Sequence, residues 1–160
     1  MENTGRTMKE EELYTLVYVS YAKEDLDAED LDRLWKSSFK SNKSLGITGM
    51  LVYLNKRFLQ VLEGDRKKVE KLFARIQKDR RHEGVMLLLD GPLEKRNFED
   101  WAMGFCHLNS DQEILHRVGM GVLRDLNRME INKSDHPALQ FLKMFFDKQV
   151  DQEVPDFSAA

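Results

Sequence analysis

The 160-residue sequence contains a single cysteine, Cys106, so the chain can form neither an internal disulfide nor a cysteine-based zinc site. It has no apolar run close to the roughly 20 residues that a membrane-spanning helix requires. Its first twelve residues are polar and lack the apolar segment of a secretory signal. These absences predict a cytoplasmic protein that makes no membrane contact.

An excess of basic residues is also lacking, since 25 lysines and arginines stand against 28 aspartates and glutamates, a net charge of −3. Domains that bind nucleic acid through their overall charge are usually basic, so no nucleic-acid partner is predicted. Charged residues make up 33% of the chain and hydrophobic residues 41%, which is typical of a folded protein. The length predicts one domain.

The short motifs of common catalytic sites are missing as well. There is no P-loop, no Gly-x-Ser-x-Gly turn and no Gly-x-Gly-x-x-Gly loop after a predicted strand. The four histidines lack the spacing of a metal site; they are His82, His107, His116 and His136. The chain is therefore predicted to be neither an enzyme nor a metalloprotein.

Apolar periodicity predicts five strands and two helices in the order βαββαββ. The first strand is apolar throughout, which indicates a central position with both faces covered. Asp27 and Asp65 are good N-caps for the two helices, and Asn55-Lys56 has the length of a hairpin turn. The predicted elements are strand Leu13–Ser20, helix Asp27–Ser41, strands Ile47–Leu54 and Arg57–Glu63, a helix from Asp65, and strands Val85–Leu89 and Trp101–Cys106.

Two β-α-β crossovers on one sheet are typical of the ferredoxin-like α+β fold, with both helices on one face. The other face then needs a cover, which two apolar helical stripes at 114–126 and 139–150 can supply. The predicted organisation is a flexible tail at 1–12, a domain at 13–108, a C-terminal helical extension for output or self-association at 109–150, and a tail at 151–160.

Five short motifs occur in one order along the predicted domain, and their order and spacing are more specific than any one of them. They are Leu16-Val17-Tyr18-Val19-Ser20, Asn42 followed by Ile47-Thr48-Gly49, Phe58-Leu59-Gln60-Val61-Leu62-Glu63-Gly64, Arg75 with Lys78-Asp79 and Arg81-His82, and Phe98 with Trp101-Ala102-Met103-Gly104-Phe105. Over residues 13–108 this set resembles the BLUF family of blue-light sensors. That family uses FAD and holds the flavin between the two helices of a ferredoxin-like fold.

The resemblance implies roles for the matched positions. Tyr18 corresponds to the photoactive tyrosine, and Gln60 to the glutamine that hydrogen-bonds both this tyrosine and the flavin. Asn42 corresponds to the asparagine at the polar edge of the flavin ring, and Ile47 to the apolar residue packed against the ring. Ser41 stands where many relatives have Asn or His, so this flavin contact is expected to be weaker or water-mediated.

The resemblance extends to the last strand and to the end of the second helix. Met103 and Trp101 correspond to a mobile pair that transmits the signal, for which ordinary core packing is the alternative. Arg75, Asp79 and His82 correspond to positions on the ribityl and phosphate side of the flavin. A solvated basic helix face is the alternative for the charges in this region.

The residue types themselves, apart from the resemblance, favour a pairing of Tyr18 with Gln60. Tyr18 and Gln60 each lie on an apolar strand, and if these strands adjoin, a phenol and a carboxamide meet in an apolar pocket. A buried hydroxyl or amide without a partner costs about 1–3 kcal/mol, so both groups need partners. A flavin can supply them, and the alternative is that the two side chains satisfy each other or the backbone.

The implied function is a blue-light photoreceptor with noncovalently bound FAD, with FMN as the other flavin that the sequence allows. Light is expected to drive electron and proton transfer from Tyr18 to the flavin and to leave the Gln60 hydrogen bonds rearranged, by rotation, tautomerisation or both. The signal is expected to pass through the last strand and the C-terminal helices to an effector protein in trans, or through homo-oligomerisation. A light-silent flavin-binding regulatory module is the alternative.

Overall fold

The computed structural model describes residues 12–54, 56–99 and 103–107, together with Gln140. Within these residues the strands and helices follow the predicted order. The elements are β1 (Leu13–Ala22), α1 (Ala28–Leu45), β2 (Thr48–Leu54), β3 (Arg57–Asp65), α2 (Arg66–Gln77), β4 (His82–Pro92) and β5 (Gly104–His107). Among the described helices, none is long and apolar enough to cross a membrane.

The five strands form one sheet in the order β4-β1-β3-β2-β5. Neighbouring strands are antiparallel except for β2 and β5, which are parallel. Both helices pack on the same face, where Leu31 of α1 and Val69 and Leu72 of α2 join the buried side chains of β1 and β3. The predicted ferredoxin-like α+β fold is confirmed, whereas the predicted tail helices lie outside the described residues.

The residues on either side of helix α1 determine where it begins and ends. Asp27 forms a capping box with Asp30, in which each side chain accepts the backbone N–H of the other residue. Gly46 follows the helix with a φ of 66°, a left-handed conformation that glycine adopts without a Cβ clash. The predicted end near Ser41 is therefore one turn too early, and Asn42 lies inside the last turn.

The two later strands also differ from their predicted bounds. The apolar run Val85–Leu89 is only the middle of β4, because pairing with nearly the whole of β1 sets the ends of that strand. Strand β5 begins at Gly104, where its parallel pairing with β2 begins. Met103 therefore precedes the last strand instead of lying within it.

Strands β2 and β3 approach each other closely at Gly49. A Cβ atom on Gly49 would lie 1.8 Å from the carbonyl oxygen of Val61, a distance at which the backbone would have to move. A side chain at this position would push β2 away from the strand that carries Gln60. The glycine of the Ile47-Thr48-Gly49 motif is therefore required for the close approach of β2 to β3.

Strand β3 carries two different buried polar groups, one on each face. Gln60 and Leu62 face the helices, whereas Leu59, Val61 and Glu63 face the opposite side of the sheet, and all five are buried. One strand therefore presents a neutral amide to the helix side and a carboxylate to the other side.

Candidate functional site

A cavity opens between α1 and α2, above β1 and β3. Its volume is about 200 Å³, and part of it is open to solvent. Tyr18 and Gln60 lie at its sheet side. Its walls include Leu34, Ser37, Ser38, Ser41 and Asn42 from α1, and Leu72, Arg75 and Ile76 from α2.

Tyr18 and Gln60 meet in the cavity, as the alternation of the two strands predicts. The antiparallel register of β1 and β3 places them directly opposite each other, and each is 4% exposed. The Tyr18 hydroxyl donates a hydrogen bond to Oε1 of Gln60. The Tyr18 ring also packs 5.4 Å from the ring of Phe73, measured between centroids. The phenol is thus held by one polar contact within an apolar surrounding.

The other end of the Gln60 amide points to Met103. Its Nε2 donates to the Met103 sulfur at 3.5 Å, and Met103 is buried. Because sulfur is a weak acceptor, this bond is easily exchanged for a better one. Tyr18, Gln60 and Met103 therefore form a chain of two hydrogen bonds whose direction depends on which way the amide faces.

Burial raises the pKa of the Tyr18 phenol well above its ordinary value of 10. The cavity wall removes water from the hydroxyl, and Asp79 adds a smaller repulsion of the phenolate. The phenol consequently keeps its proton at neutral pH. A protonated hydroxyl donor therefore faces the amide oxygen of Gln60 in the cavity.

Asn42 presents a buried polar group that the described protein atoms leave unpaired. Its backbone carbonyl accepts the N–H groups of Gly46 and Ile47 at the end of α1. Its side chain is 2% exposed and lines the cavity, yet its Nδ2 has no hydrogen-bond partner. A buried N–H without a partner costs about 1–3 kcal/mol, so this amide suits a ligand that brings an acceptor. The carbonyl edge of a flavin is such an acceptor.

The open side of the cavity is charged. Asp79 and Arg81 form a bidentate pair, with Nε–Oδ1 at 3.0 Å and Nη2–Oδ2 at 2.6 Å. The hydrogen bond from Arg81 lowers the pKa of Asp79 to about 2. The exposed Arg75 also lines the cavity. This arrangement leaves Arg75 able to meet an anionic group, while Arg81 is already engaged.

His82 is held by two protein groups. Its Nε2 contacts the carbonyl oxygen of Ile76, which can only accept, so this nitrogen carries the proton. Its Nδ1 lies 2.9 Å from the hydroxyl of Ser20, which donates to it in the neutral imidazole. The ring stands edge-on to Tyr18 at 6.5 Å. His82 is thus part of the cavity wall beside Tyr18. Its position near the ribityl chain of a bound flavin stays a prediction.

Three further predicted site residues have different placements. Ser41 lines the cavity, as expected for a flavin contact. Ile47 is fully buried near Gly64 and is not among the described residues that line the cavity, so its contact with the ring stays a prediction. Trp101 lies outside the described residues.

Sequence reasoning missed two contacts that hold the segment before β5. The Trp35 indole N–H donates to the Met103 carbonyl at 2.9 Å, although its spacing predicts only an apolar stripe. Glu63 accepts the backbone N–H of Phe98 at 2.8 Å and two donors of Asn97. An acidic residue inside an apolar strand is the one signal that could have pointed to the second contact.

The segment around Asn97 is tied to the sheet by a guanidinium as well. Arg96 donates to the hydroxyl of Thr48 at 2.9 Å and to the carbonyls of Gly46 at 2.9 Å and Glu63 at 3.1 Å. Arg96 and Glu63 therefore join the end of α1, β2 and β3 to the chain that leads towards Met103.

The fold and the site define a ferredoxin-like ligand-binding domain whose cavity contains a tyrosine–glutamine pair and an asparagine N–H that no described residue accepts. The chain belongs to the BLUF family, the sensors of blue light using FAD, whose model matches residues 13–104. The resemblance noted in the sequence is confirmed, and the chain is a flavin-based blue-light sensor.

Two solved structures and one curated protein illustrate the similarity. BlrB, a BLUF protein in its dark state, is 26% identical with a TM-score of 0.61, over 86% of this chain and 98% of that one. Klebsiella pneumoniae BlrP1 with FMN and cyclic diGMP is 32% identical with a TM-score of 0.66, over 84% of this chain and 34% of that one. The photoactivated adenylate cyclase subunit alpha of Euglena gracilis is 36% identical over 87 residues, 54% of this chain.

The chain spans only a small part of these curated relatives, 8% of the alpha subunit and 13% of a beta subunit from Euglena longa. FAD is the cofactor by which the family is defined. The residues present fit a flavin, because Asn42 offers a buried donor that no described residue uses, and Gln60 offers an amide at the same cavity. Asn42 and Gln60 would hold the polar ring edge, and Arg75 the anionic side.

Proposed function

We propose that Tyr18, Gln60 and Met103 are the light switch of this sensor. Bound flavin supplies the blue-light absorption and the electron acceptor. Tyr18 would give up an electron to that acceptor, and its phenolic proton would pass along the hydrogen bond to Gln60 Oε1, which would hold it until the electron returns. When the electron and the proton return, Gln60 is left with its donor and acceptor ends exchanged. The observation that carries this proposal is the uninterrupted chain of hydrogen bonds from Tyr18 through Gln60 to Met103.

The exchange has a predictable spectroscopic size. Glutamine carries a donor and an acceptor on one planar group, so reversal changes every hydrogen bond that it makes. A new hydrogen bond that favours the excited flavin by ~1 kcal/mol moves a blue absorption band to the red by roughly 7 nm. The reversed amide also directs an oxygen instead of an N–H at the Met103 sulfur. The same event thus changes the spectrum and releases Met103.

The test is the visible spectrum of the flavin-loaded chain before and just after blue light, for the wild type and for Gln60→Leu. We expect a small reversible red shift in the wild type and none in Gln60→Leu, because leucine removes both hydrogen-bonding ends. Gln77→Leu, on the exposed end of α2, is the matched control and should shift normally. A normal shift in Gln60→Leu would contradict the switch.

A second candidate is a light-silent flavin-binding regulatory module. Tyr18 and Gln60 already satisfy one another through the hydroxyl–amide bond, which favours a static pair. The same experiment separates the two candidates. A bound flavin with an unchanged spectrum after illumination would indicate the silent module.

For the output we propose a cytoplasmic sensor that acts on an effector protein in trans or through its own oligomeric state, with no catalysis, nucleic acid or membrane involved. The support is that several similar proteins are light-regulated adenylyl cyclases, in which a sensor and an effector occur together. Size-exclusion chromatography in the dark and in light should then differ between the full chain and a chain that ends at Asp135. Identical elution of both in both conditions would count against an output through the C-terminal segment.

A further inference from the structure

Met103 is held at two points, and only one of them belongs to the switch described above. Its sulfur accepts the bond from the Gln60 amide at 3.5 Å. Its backbone carbonyl accepts a bond of 2.9 Å from the indole N–H of Trp35. Trp35 lies in the middle of α1, 68 residues away along the chain. The contact therefore joins helix α1 directly to the residue that precedes β5.

The two bonds differ in what can change them. The sulfur bond is weak, and it is lost when the Gln60 amide turns its oxygen towards Met103. The bond from Trp35 to the carbonyl has ordinary length, and an indole has one donor and no acceptor. Reversal of Gln60 therefore removes the hydrogen bond to the Met103 sulfur. Of the two hydrogen bonds to Met103 from side chains of the described residues, the Trp35 bond then remains, and it has to break before Met103 can move away from α1.

Contacts with other side chains, and not with the cavity, fix the position of Trp35. Its ring lies 5.8 Å from the ring of Phe39, tilted by 50°, and it packs against the buried core that includes Met103. It is not among the described residues that line the cavity. The hydrogen bond from Trp35 to Met103 therefore forms without a contact between Trp35 and the cavity.

We propose that Trp35 is a positioning residue of the light switch, whose indole N–H holds the Met103 carbonyl in the dark, loses that bond when Gln60 releases the sulfur, and draws Met103 back as the dark state returns. This inference rests on the proposed function, because it requires the Gln60 rearrangement. A neutral hydrogen bond changes an equilibrium by about two- to tenfold. The same factor applies to the rate of dark recovery if the Trp35–Met103 bond has re-formed in the rate-limiting step of that recovery.

The first test uses the wild-type, flavin-loaded full chain. The sequence has only two tryptophans, so two indole N–H signals are expected in a ¹H–¹⁵N spectrum. Trp35→Phe assigns the Trp35 signal, and Trp101→Phe assigns it by elimination if the first variant does not fold. We expect the Trp35 signal to move in blue light and to return at the rate at which the flavin absorption recovers.

The possible results separate this inference from the function on which it rests. A Trp35 signal that stays in place while the absorption shifts would overturn the inference and leave the photoreceptor function standing. An absorption spectrum that does not shift at all would overturn both.

The second test is kinetic. Trp35→Phe keeps an aromatic ring on α1 but removes the donor, so the red shift should persist while dark recovery slows by about two- to tenfold. Phe39→Leu is the matched control, because it disturbs the ring contact and keeps the indole N–H. Wild-type recovery in Trp35→Phe, or an equal slowing in Phe39→Leu, would overturn the role of the hydrogen bond.

Discussion

The two faces of β3 carry buried polar groups that are built in opposite ways. On the helix side, Gln60 makes one hydrogen bond to a phenol and one to a sulfur, both with neutral partners. On the other side, the Glu63 carboxylate is fully buried and accepts three N–H donors from Asn97 and Phe98. The two residues are three positions apart on the same strand.

The difference shows how a sheet can combine a switch with an anchor. Neutral hydrogen bonds to a reversible amide are individually weak and can be exchanged without leaving a buried charge. Bonds to a carboxylate are stronger, and losing the carboxylate removes the acceptor of one buried and two partly buried donors. We infer that the Gln60 face can rearrange while the Glu63 face keeps the segment at 96–98 in place.

The largest expected effect comes from breaking the anchor. Glu63→Ala removes the carboxylate that three donors share and should lower the free energy of unfolding by about 3 kcal/mol, measured by chemical denaturation of the full chain. Glu63→Gln keeps one acceptor and should lose about half as much. Glu83→Ala on the exposed part of β4 is the control and should change little. A loss below about 1 kcal/mol in Glu63→Ala would remove the distinction between the two faces.

A smaller effect is expected from Asn42 on the cavity side. Asn42→Ala removes a buried N–H donor that has no partner among the described residues, so the free energy of unfolding of the flavin-free protein should change by less than about 1 kcal/mol. Its affinity for FAD should fall about tenfold, since one hydrogen bond to the ligand is lost. Denaturation of the flavin-free chain and FAD titration give the two numbers. If Asn42→Ala lowered the stability of the flavin-free chain by as much free energy as it lowered FAD binding, the role of Asn42 would be structural.

Acidification should change the contributions of Asp79 and Glu63 to stability in opposite directions. Arg81 lowers the pKa of Asp79 to about 2, so its contribution to stability is present above its ordinary value of 3.8 and is lost as the pH falls towards 2. Burial raises the pKa of Glu63 above 4.5, so its contribution is full below 4.5 and is lost as the pH rises through the raised value.

The free energy of unfolding, measured from about pH 6 to about pH 3, tests both signs. The advantage of the wild type over Asp79→Asn should shrink on acidification, while its advantage over Glu63→Gln should grow. Parallel trends for the two variants would show that Asp79 and Glu63 do not differ in the way that their surroundings indicate.

The smallest expected effect is a gain. Thr15 lies opposite Glu63 in the β1–β3 register and is 2% exposed, but no described residue forms a hydrogen bond with its hydroxyl. Thr15→Val keeps the β-branched shape and removes this unpaired group, so the free energy of unfolding should rise by about 0.5–1 kcal/mol. Ser20→Ala is the contrasting control, because that hydroxyl is paired with His82. A loss in Thr15→Val as large as that in Ser20→Ala would mean that the Thr15 hydroxyl is satisfied.

Much of this protein follows from local sequence. Asp27 and Asp65 cap their helices as predicted, because capping depends on residues within one turn. The order of strands and helices follows from apolar periodicity, and the pairing of Tyr18 with Gln60 from strand alternation and the family motifs. The bounds of α1, β4 and β5 do not follow, since Gly46 and the pairing partners set them.

Only the tertiary structure decided which distant groups meet. Gln60 reaches Met103 across 43 residues, Trp35 reaches the same residue across 68, and Glu63 reaches Phe98 across 35. No short-range pattern encodes such contacts, because they depend on which strands pair and on how α1 packs over the sheet. The residues of the switch are thus readable in the sequence, whereas the contacts that hold and restrain it arise from the packing of the whole domain.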